Sequence, residues 1–181
     1  MGAWAENKTN QGCCLSMVLF SQDNEEGFMK RVKGDLIALA LGGHFDVIVH
    51  GCNCFCAMGG GIARTIKDTF PEAFGADAAT EEGDKDKLGT YTKATIIRGE
   101  ARFVVVNAYT QYHFGGGGCL ADYDAIQSVF KKIRQGFPGK RIGYPLIGAG
   151  LAGGDWEIIS EIIDGALEGE DHTLVEFVPE S

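Results

Sequence analysis

The residue types that could do chemistry gather between Val47 and Thr65, a stretch reading V-I-V-H-G-C-N-C-F-C-A-M-G-G-G-I-A-R-T. His50 carries an imidazole that titrates near neutrality and can give or take a proton. Asn53 offers an uncharged amide, able to orient a hydroxyl or a water without repelling an anion. Gly59, Gly60 and Gly61 have no side chains to hold a ligand off the backbone. Near a helix start their N–H groups can face an anion. The chemistry these types allow is capture of a phosphate or diphosphate, with a proton donor and a polar amide in reach.

Holding them in place requires a strand, a loop and a helix. Val47-Ile48-Val49 reads as a buried strand, and Ile62 to Lys67 has helical spacing. In an open α/β sheet, ligands sit beyond the carboxyl ends of the strands. A lone G-G-G turn is better explained by tight packing. A second loop of the same character changes the balance: Gly148-Ala149-Gly150-Leu151-Ala152-Gly153-Gly154 also follows an apolar strand and precedes a helix. Two such loops could grip one diphosphate from both sides. The first loop lacks the G-x-G-x-x-G pattern with its acidic residue about twenty positions on, and the G-K-[ST] ending of a P-loop.

Composition narrows the function classes. A chain of 181 residues fits one domain with a full core. Its net charge of −9 argues against general nucleic-acid binding, which needs a basic face. A small anion remains possible, because backbone amides and helix dipoles do not enter net charge. Cys52-x-Cys54-x-Cys56 lacks zinc spacing, so no metal is expected, and strand alternation would turn these three thiols away from Asn53. Buried free thiols in a reducing cytoplasm are expected for the six cysteines. No membrane span is expected, since no stretch is apolar for about eighteen residues. Cys13 to Phe20 is too short and too poorly flanked for a signal peptide. No cofactor is implied, and a monomer is expected.

Along the chain, residues 1–27 lack a sustained period and read as an extension, with one short strand near Ser16–Phe20. The domain is expected over 28–181. Its first strand is Phe28 to Val32, and a partly helical connection spans Ile37 to Phe45. A second helix is expected over Glu72 to Glu82, and Ala94–Ile97 and Phe103–Ala108 form a hairpin. Tyr109 to Gly118, rich in glycine, reads as a flap carrying His113. Asp122 to Gln135 is a helix with Ile126, Val129, Phe130 and Ile133 inward. A strand at Arg141 to Ile147 leads to the second glycine loop. Asp155 caps the following helix, with Ile158 and Ile162 in its core face, and Thr173 to Val178 closes the sheet. Strands alternating with helices predict a three-layer α/β/α domain with a central mixed, mostly parallel sheet.

The V-K-G-D-L sequence from Val32, the H-G-C-N-C and G-G-G-I-A motifs, and P-L-I-G-A-G-L-A-G-G-D-W ending at Trp156 together resemble a macro domain. H-x-C-N-C before G-G-G-I-A and the T-Q-Y-H-F-G-G-G-G loop resemble the branch of ADP-ribose-1″-phosphate phosphatases. That resemblance implies that Asp35 accepts a hydrogen bond from the adenine amino group and that the Leu36 N–H meets the ring. It implies that Gly59, Gly60, Gly61 and Ile62, with Gly148, Ala149, Gly150, Leu151, Ala152 and Gly153, wrap the diphosphate and distal ribose. Asn53 would contact that ribose. His50 matches a histidine implicated in the phosphatase branch, and Asp155 an acidic position before the tryptophan. A related branch that removes ADP-ribose from macromolecules uses a lysine in a T-K motif, and one of its subgroups also an aspartate. Here Gln111 and Ala152 stand at those places, and a glutamine forms no Schiff base.

Each candidate has a plain alternative. His50 could be a core histidine, Asp155 an N-cap, His113 a solvated loop residue and Asp35 a turn closer. The leading expectation is hydrolysis of the terminal phosphate of ADP-ribose 1″-phosphate, without a metal, by His50, Asn53, Asp155 and His113. The alternatives are a module that binds ADP-ribose, or a related nucleotide, without turnover, and a mono-ADP-ribosyl hydrolase.

Overall fold

The computed structural model describes residues 28–178. The expectations for the first 27 residues, for Cys13 and Cys14 and for the strand near Ser16–Phe20 lie outside the described residues. Six strands form one sheet: β1 (Lys30–Lys33), β2 (Val47–Asn53), β3 (Tyr91–Arg98), β4 (Ala101–Gln111), β5 (Ile142–Tyr144) and β6 (His172–Glu176). Their order is β1-β6-β5-β2-β4-β3, parallel except for the β3–β4 hairpin. The α-helices are α1 (Leu36–Leu41), α2 (Gly61–Thr69), α3 (Pro71–Ala78), α4 (Tyr123–Gly136) and α5 (Trp156–Ala166), and a 3-10 turn spans Lys85–Lys87.

Side-chain alternation along the central strands divides the core into two layers. Val47 and Val49 of β2, with Val106 and Ala108 of β4, pack under α4 and α5. Ile48 of β2, with Phe103 and Val105 of β4, packs under α1, α2 and α3 through Leu36, Leu39, Ile66, Phe70 and Ala73. This is the expected three-layer α/β/α arrangement with a mixed, mostly parallel sheet. Gly143 on β5 is required by closeness alone, because a Cβ there would lie 2.7 Å from the ring of Phe45.

Several expectations about single elements are corrected. β6 does not close the sheet: β1 lies outside it, pairing Val32 with Val175, so the edges are β1 and β3. On α5 the inward residues are Ile159, Ile163 and Ala166, while Ile158 is exposed and Ile162 is partly buried. Both isoleucine pairs are four apart, and the Trp156–Ile159–Ile163 row is the one that meets α4 and the sheet. α3 ends at Ala78, short of Glu82. β4 runs on to Gln111, so Tyr109 and Thr110 are buried strand residues and not part of a flap. The reason is β2, which stays paired with β4 as far as Asn53↔Gln111 across a register shift after Cys52.

Candidate functional site

A cleft of about 790 Å³ opens at the carboxyl ends of β2, β4, β5 and β6. The first glycine loop borders it on one side and the second on the other. Gly61 is explained by its backbone, with φ +53°, but packing does not explain Gly59 and Gly60. A Cβ on Gly59 would meet nothing within 4 Å, and one on Gly60 would meet only the tip of Leu151, at 2.9 Å. Gly60 is the N-cap of α2 and supplies no side-chain cap, so the first-turn amides face the cleft side without one. In the second loop, Gly148 and Gly154 are structural. Gly148 has φ +74°, and a Cβ on Gly154 would lie 2.8 Å from the Gly148 carbonyl oxygen. Gly150 between them borders open space. Each side of the cleft therefore presents backbone that a side chain would cover.

Of the expected ligand contacts, Asn53, Gly59, Gly60, Gly61, Ile62, Gly148, Gly150, Leu151 and Ala152 line this cleft. Ala149 and Gly153 do not; they shape the turn, with Ala149 N–H donating to Leu146 O (3.3 Å) and Gly153 N–H to Gly150 O (3.0 Å). Asn53 holds its own loop: Oδ1 accepts from Phe55 N–H (2.9 Å) and Ala57 N–H (3.3 Å), and Nδ2 donates to Ala57 O (2.8 Å). One amide N–H is left over for the cleft. Asp35 and Leu36 stand outside the lining. Asp35 Oδ1 caps α1, accepting from Ile37 N–H (2.7 Å) and Ala38 N–H (2.9 Å), and Leu36 is in the core. Gly34 N–H donates to Glu176 O (2.9 Å), which keeps this turn beside the Val175–Phe177 end of the cleft.

The expected acid–base groups are not brought there. His50 is fully buried on the opposite face of β2, the α3 side, with Nε2 2.7 Å from Asn107 Oδ1. Asn107 Nδ2 in turn donates to Ala73 O (2.8 Å) and Thr92 Oγ1 (3.0 Å). Burial pushes the imidazole below its ordinary pKa, partly opposed by the Asn107 bond. His50 is thus a core histidine, and the expectation of a proton donor in the cleft is corrected by strand alternation: Gly51 and Asn53 line the cleft, while His50 and Cys52 turn away. Asp155 is exposed and caps α5 through Glu157 N–H (2.9 Å). His113 is an exposed loop residue stacked on Phe114 at 4.9 Å, its Nδ1 within 3.0 Å of Gly115 N–H.

Other residues enter the lining: Ala57, Thr110, Gln111, Phe114, Leu146 and Phe177. Thr110 is the most telling. Its hydroxyl is buried without a hydrogen-bond partner, and a Cβ on Gly51 would lie 2.9 Å from it. Period-two spacing from Val175 marks Phe177 as a same-face residue at a strand end. Phe114 lies in the glycine-rich loop, where no periodicity points to it.

Two features lie outside the cleft. A hollow of about 170 Å³ at the amino ends of the strands has paired charges, Lys30 with Asp171 (3.0 Å) and Arg141 with Asp46 (2.9 Å). Cys52 and Cys54 are buried behind the first loop, Cys56 is half-buried, and Cys119 is exposed, contrary to the expectation of buried thiols throughout. Among the described residues, no helix is long and apolar enough to cross a membrane.

The Macro domain profile matches residues 49–163. An uncharacterized 17.5 kDa protein from the tk-vs intergenic region of Enterobacteria phage T4 is 33% identical over 156 residues, covering 83% of this chain and 97% of its own. An ADP-ribose 1″-phosphate phosphatase of Aspergillus oryzae is 37% identical over only 49 residues, 27% of this chain and 23% of that protein. Among solved structures, DarTG of Thermosipho africanus in complex with ADP-ribose matches with a TM-score of 0.62 at 17% identity, covering 84% of this chain and 42% of that one. With the sheet order, the two glycine loops at its carboxyl ends and these matches agreeing, the chain belongs to the macro domain family.

Proposed function

We propose that this protein binds ADP-ribose in the cleft and holds it without turnover. The observation that carries this reading is the cleft's lining: two glycine loops, one amide from Asn53, the Thr110 hydroxyl, Gln111 and apolar side chains, with no ionisable side chain among them. Backbone amides and a helix N-terminus suit a diphosphate, which needs donors and no acid. Apolar and aromatic walls at both ends, Val175 and Phe177 near Asp35 and Phe114 near Gln111, suit flat or weakly polar groups beyond the phosphates. The solved complex of DarTG with ADP-ribose, a structural neighbour of this chain, supports the ligand.

A second reading is hydrolysis of the terminal phosphate of ADP-ribose 1″-phosphate, supported by the partial match to the Aspergillus phosphatase. That reaction needs a proton donor for the leaving oxygen and an activated water, and the lining supplies neither side chain. Titration calorimetry with ADP-ribose and a phosphate-release assay with ADP-ribose 1″-phosphate decide between them. Binding with phosphate release no faster than from free nucleotide is expected. Turnover that tracks protein concentration would overturn the binding reading in favour of the phosphatase.

A further inference from the structure

Behind the first glycine loop lies a buried cluster that the cleft does not use. Lys87, 6% exposed, points its Nζ inward, 3.2 Å from Cys56 Sγ and 3.1 Å from Cys54 O. The same Nζ is 3.7 Å from Oδ1 of Asp77, a residue 1% exposed. Asp77 Oδ1 accepts from Tyr109 O–H (2.8 Å), but its Oδ2 is buried with no partner. Cys56 is the only non-glycine described residue with positive φ, at +55°, and its half-buried sulfur also meets Asp77 O at 3.2 Å. A buried amine thus rests 3.2 Å from a thiol, beside a carboxylate whose second oxygen has no partner.

We propose that peroxide converts Cys56 and Lys87 into a covalent sulfur–nitrogen cross-link. In the first step the Cys56 sulfur attacks a peroxide oxygen; the O–O bond breaks, sulfur is oxidised by two electrons to the sulfenic acid, and hydrogen peroxide leaves as water. In the second, the Lys87 ammonium gives a proton to the Asp77 carboxylate, whose Oδ1 lies 3.7 Å from Nζ, and the freed amine attacks sulfur. The S–O bond breaks, the N–S bond forms, and the hydroxyl leaves with an amine proton as water. In total, one amine, one thiol and one hydrogen peroxide give one N–S link and two waters. Cys54, two residues away, has its thiol directed to Gln111 O (3.8 Å), so it does not stand between the reacting pair. The link would bridge 31 positions of chain and pin the segment next to Ala57, whose carbonyl holds Asn53 at the cleft. It requires no ligand in the cleft.

The test is peptide mapping of the full chain by mass spectrometry after treatment with hydrogen peroxide. The expected product joins the peptide containing Cys56 to the one containing Lys87, at the sum of their masses less two hydrogens. It disappears on thiol reduction and is absent from Cys56→Ala and Lys87→Arg. The wild-type map decides alone if either variant fails to fold. Cys56 recovered only as sulfinic or sulfonic acid, in a disulfide, or joined to Lys87 through a bridging oxygen would overturn the proposal. So would a reducible cross-link between the corresponding two peptides, at the sum of their masses less two hydrogens, in Lys87→Arg.

Discussion

Replacing Gly60 with aspartate separates stability from ligand binding. Gly60 sits at φ −146° and ψ 163°, extended backbone that any residue adopts, and it caps α2 without a side chain. The only atom near its added Cβ is the tip of Leu151, which is 83% exposed and can turn aside. An aspartate there would accept from the free amides of the first turn and gain about 0.3–1 kcal/mol from cap and dipole. Those amides are the ones offered to the diphosphate. A carboxylate some 4 Å from one phosphate charge costs about 1 kcal/mol in a water-like medium and about 4 kcal/mol at the effective dielectric of a protein surface. Affinity should therefore fall between roughly fivefold and a thousandfold, while the melting temperature holds or rises. Gly60→Asn is the control, because it fills the same space and caps without charge. Calorimetry with ADP-ribose, repeated at two salt concentrations, reads the effect. Unchanged affinity in Gly60→Asp would remove the diphosphate from the α2 N-terminus. An equal loss in Gly60→Asn would assign the effect to bulk alone.

His50→Ala should destabilise the protein by about 2–4 kcal/mol, from the cavity and the unpaired Asn107 oxygen, with ADP-ribose affinity within twofold of wild type; denaturation midpoints and calorimetry together check this. Thr110→Val keeps the shape and removes the unpartnered hydroxyl; ADP-ribose affinity should fall by about 0.5–1.5 kcal/mol, the worth of one hydrogen bond, with ADP affinity unchanged if the hydroxyl faces the distal ribose. Burial lowers the pKa of both His50 and His172. Above the ordinary value of 6.5 both are neutral folded or unfolded, so stability is flat there; below it the unfolded chain takes up protons that the fold resists, and urea midpoints should drop as pH falls from 7.5 towards 5.5.

The fold and the two glycine loops were legible in the sequence because both rest on local signals. Strand–loop–helix order is written in β-branched runs followed by glycine and helical spacing, and α4 shows its inward row without ambiguity. Edge order is not local. Nothing in K-R-V-K says that β1 pairs outside β6, since parallel pairing depends on which strand end the crossover reaches. The Ile158/Ile159 and Ile162/Ile163 doublets on α5 offer two apolar rows, and only the packing of α4 selects one.

The site shows the same limit at the scale of one residue. His50 and Asn53 are three positions apart, so strict alternation would already place them on opposite faces of β2. Spacing therefore argued against a shared site as soon as both were assigned to one strand, and Gly51, between His50 and Cys52, was the cleft-facing position. What made His50 attractive was its residue type; what decides its role is the neighbour that receives its ring nitrogen, Asn107, 57 residues away on β4. Thr110 is the converse case. A threonine at the start of a glycine-rich run reads as loop, yet its hydroxyl is buried, unpaired and beside Gly51 because β4 outlasts the run of apolar residues that announced it. Polar residues at the carboxyl end of a buried parallel strand carry this signal, because a strand that continues past its last valine brings its polar end to where ligands bind. On this cleft that rule selects Thr110 and Gln111 from β4 and Asn53 from β2. All three can hold a hydroxyl, and none can supply a proton-transfer catalyst near neutral pH.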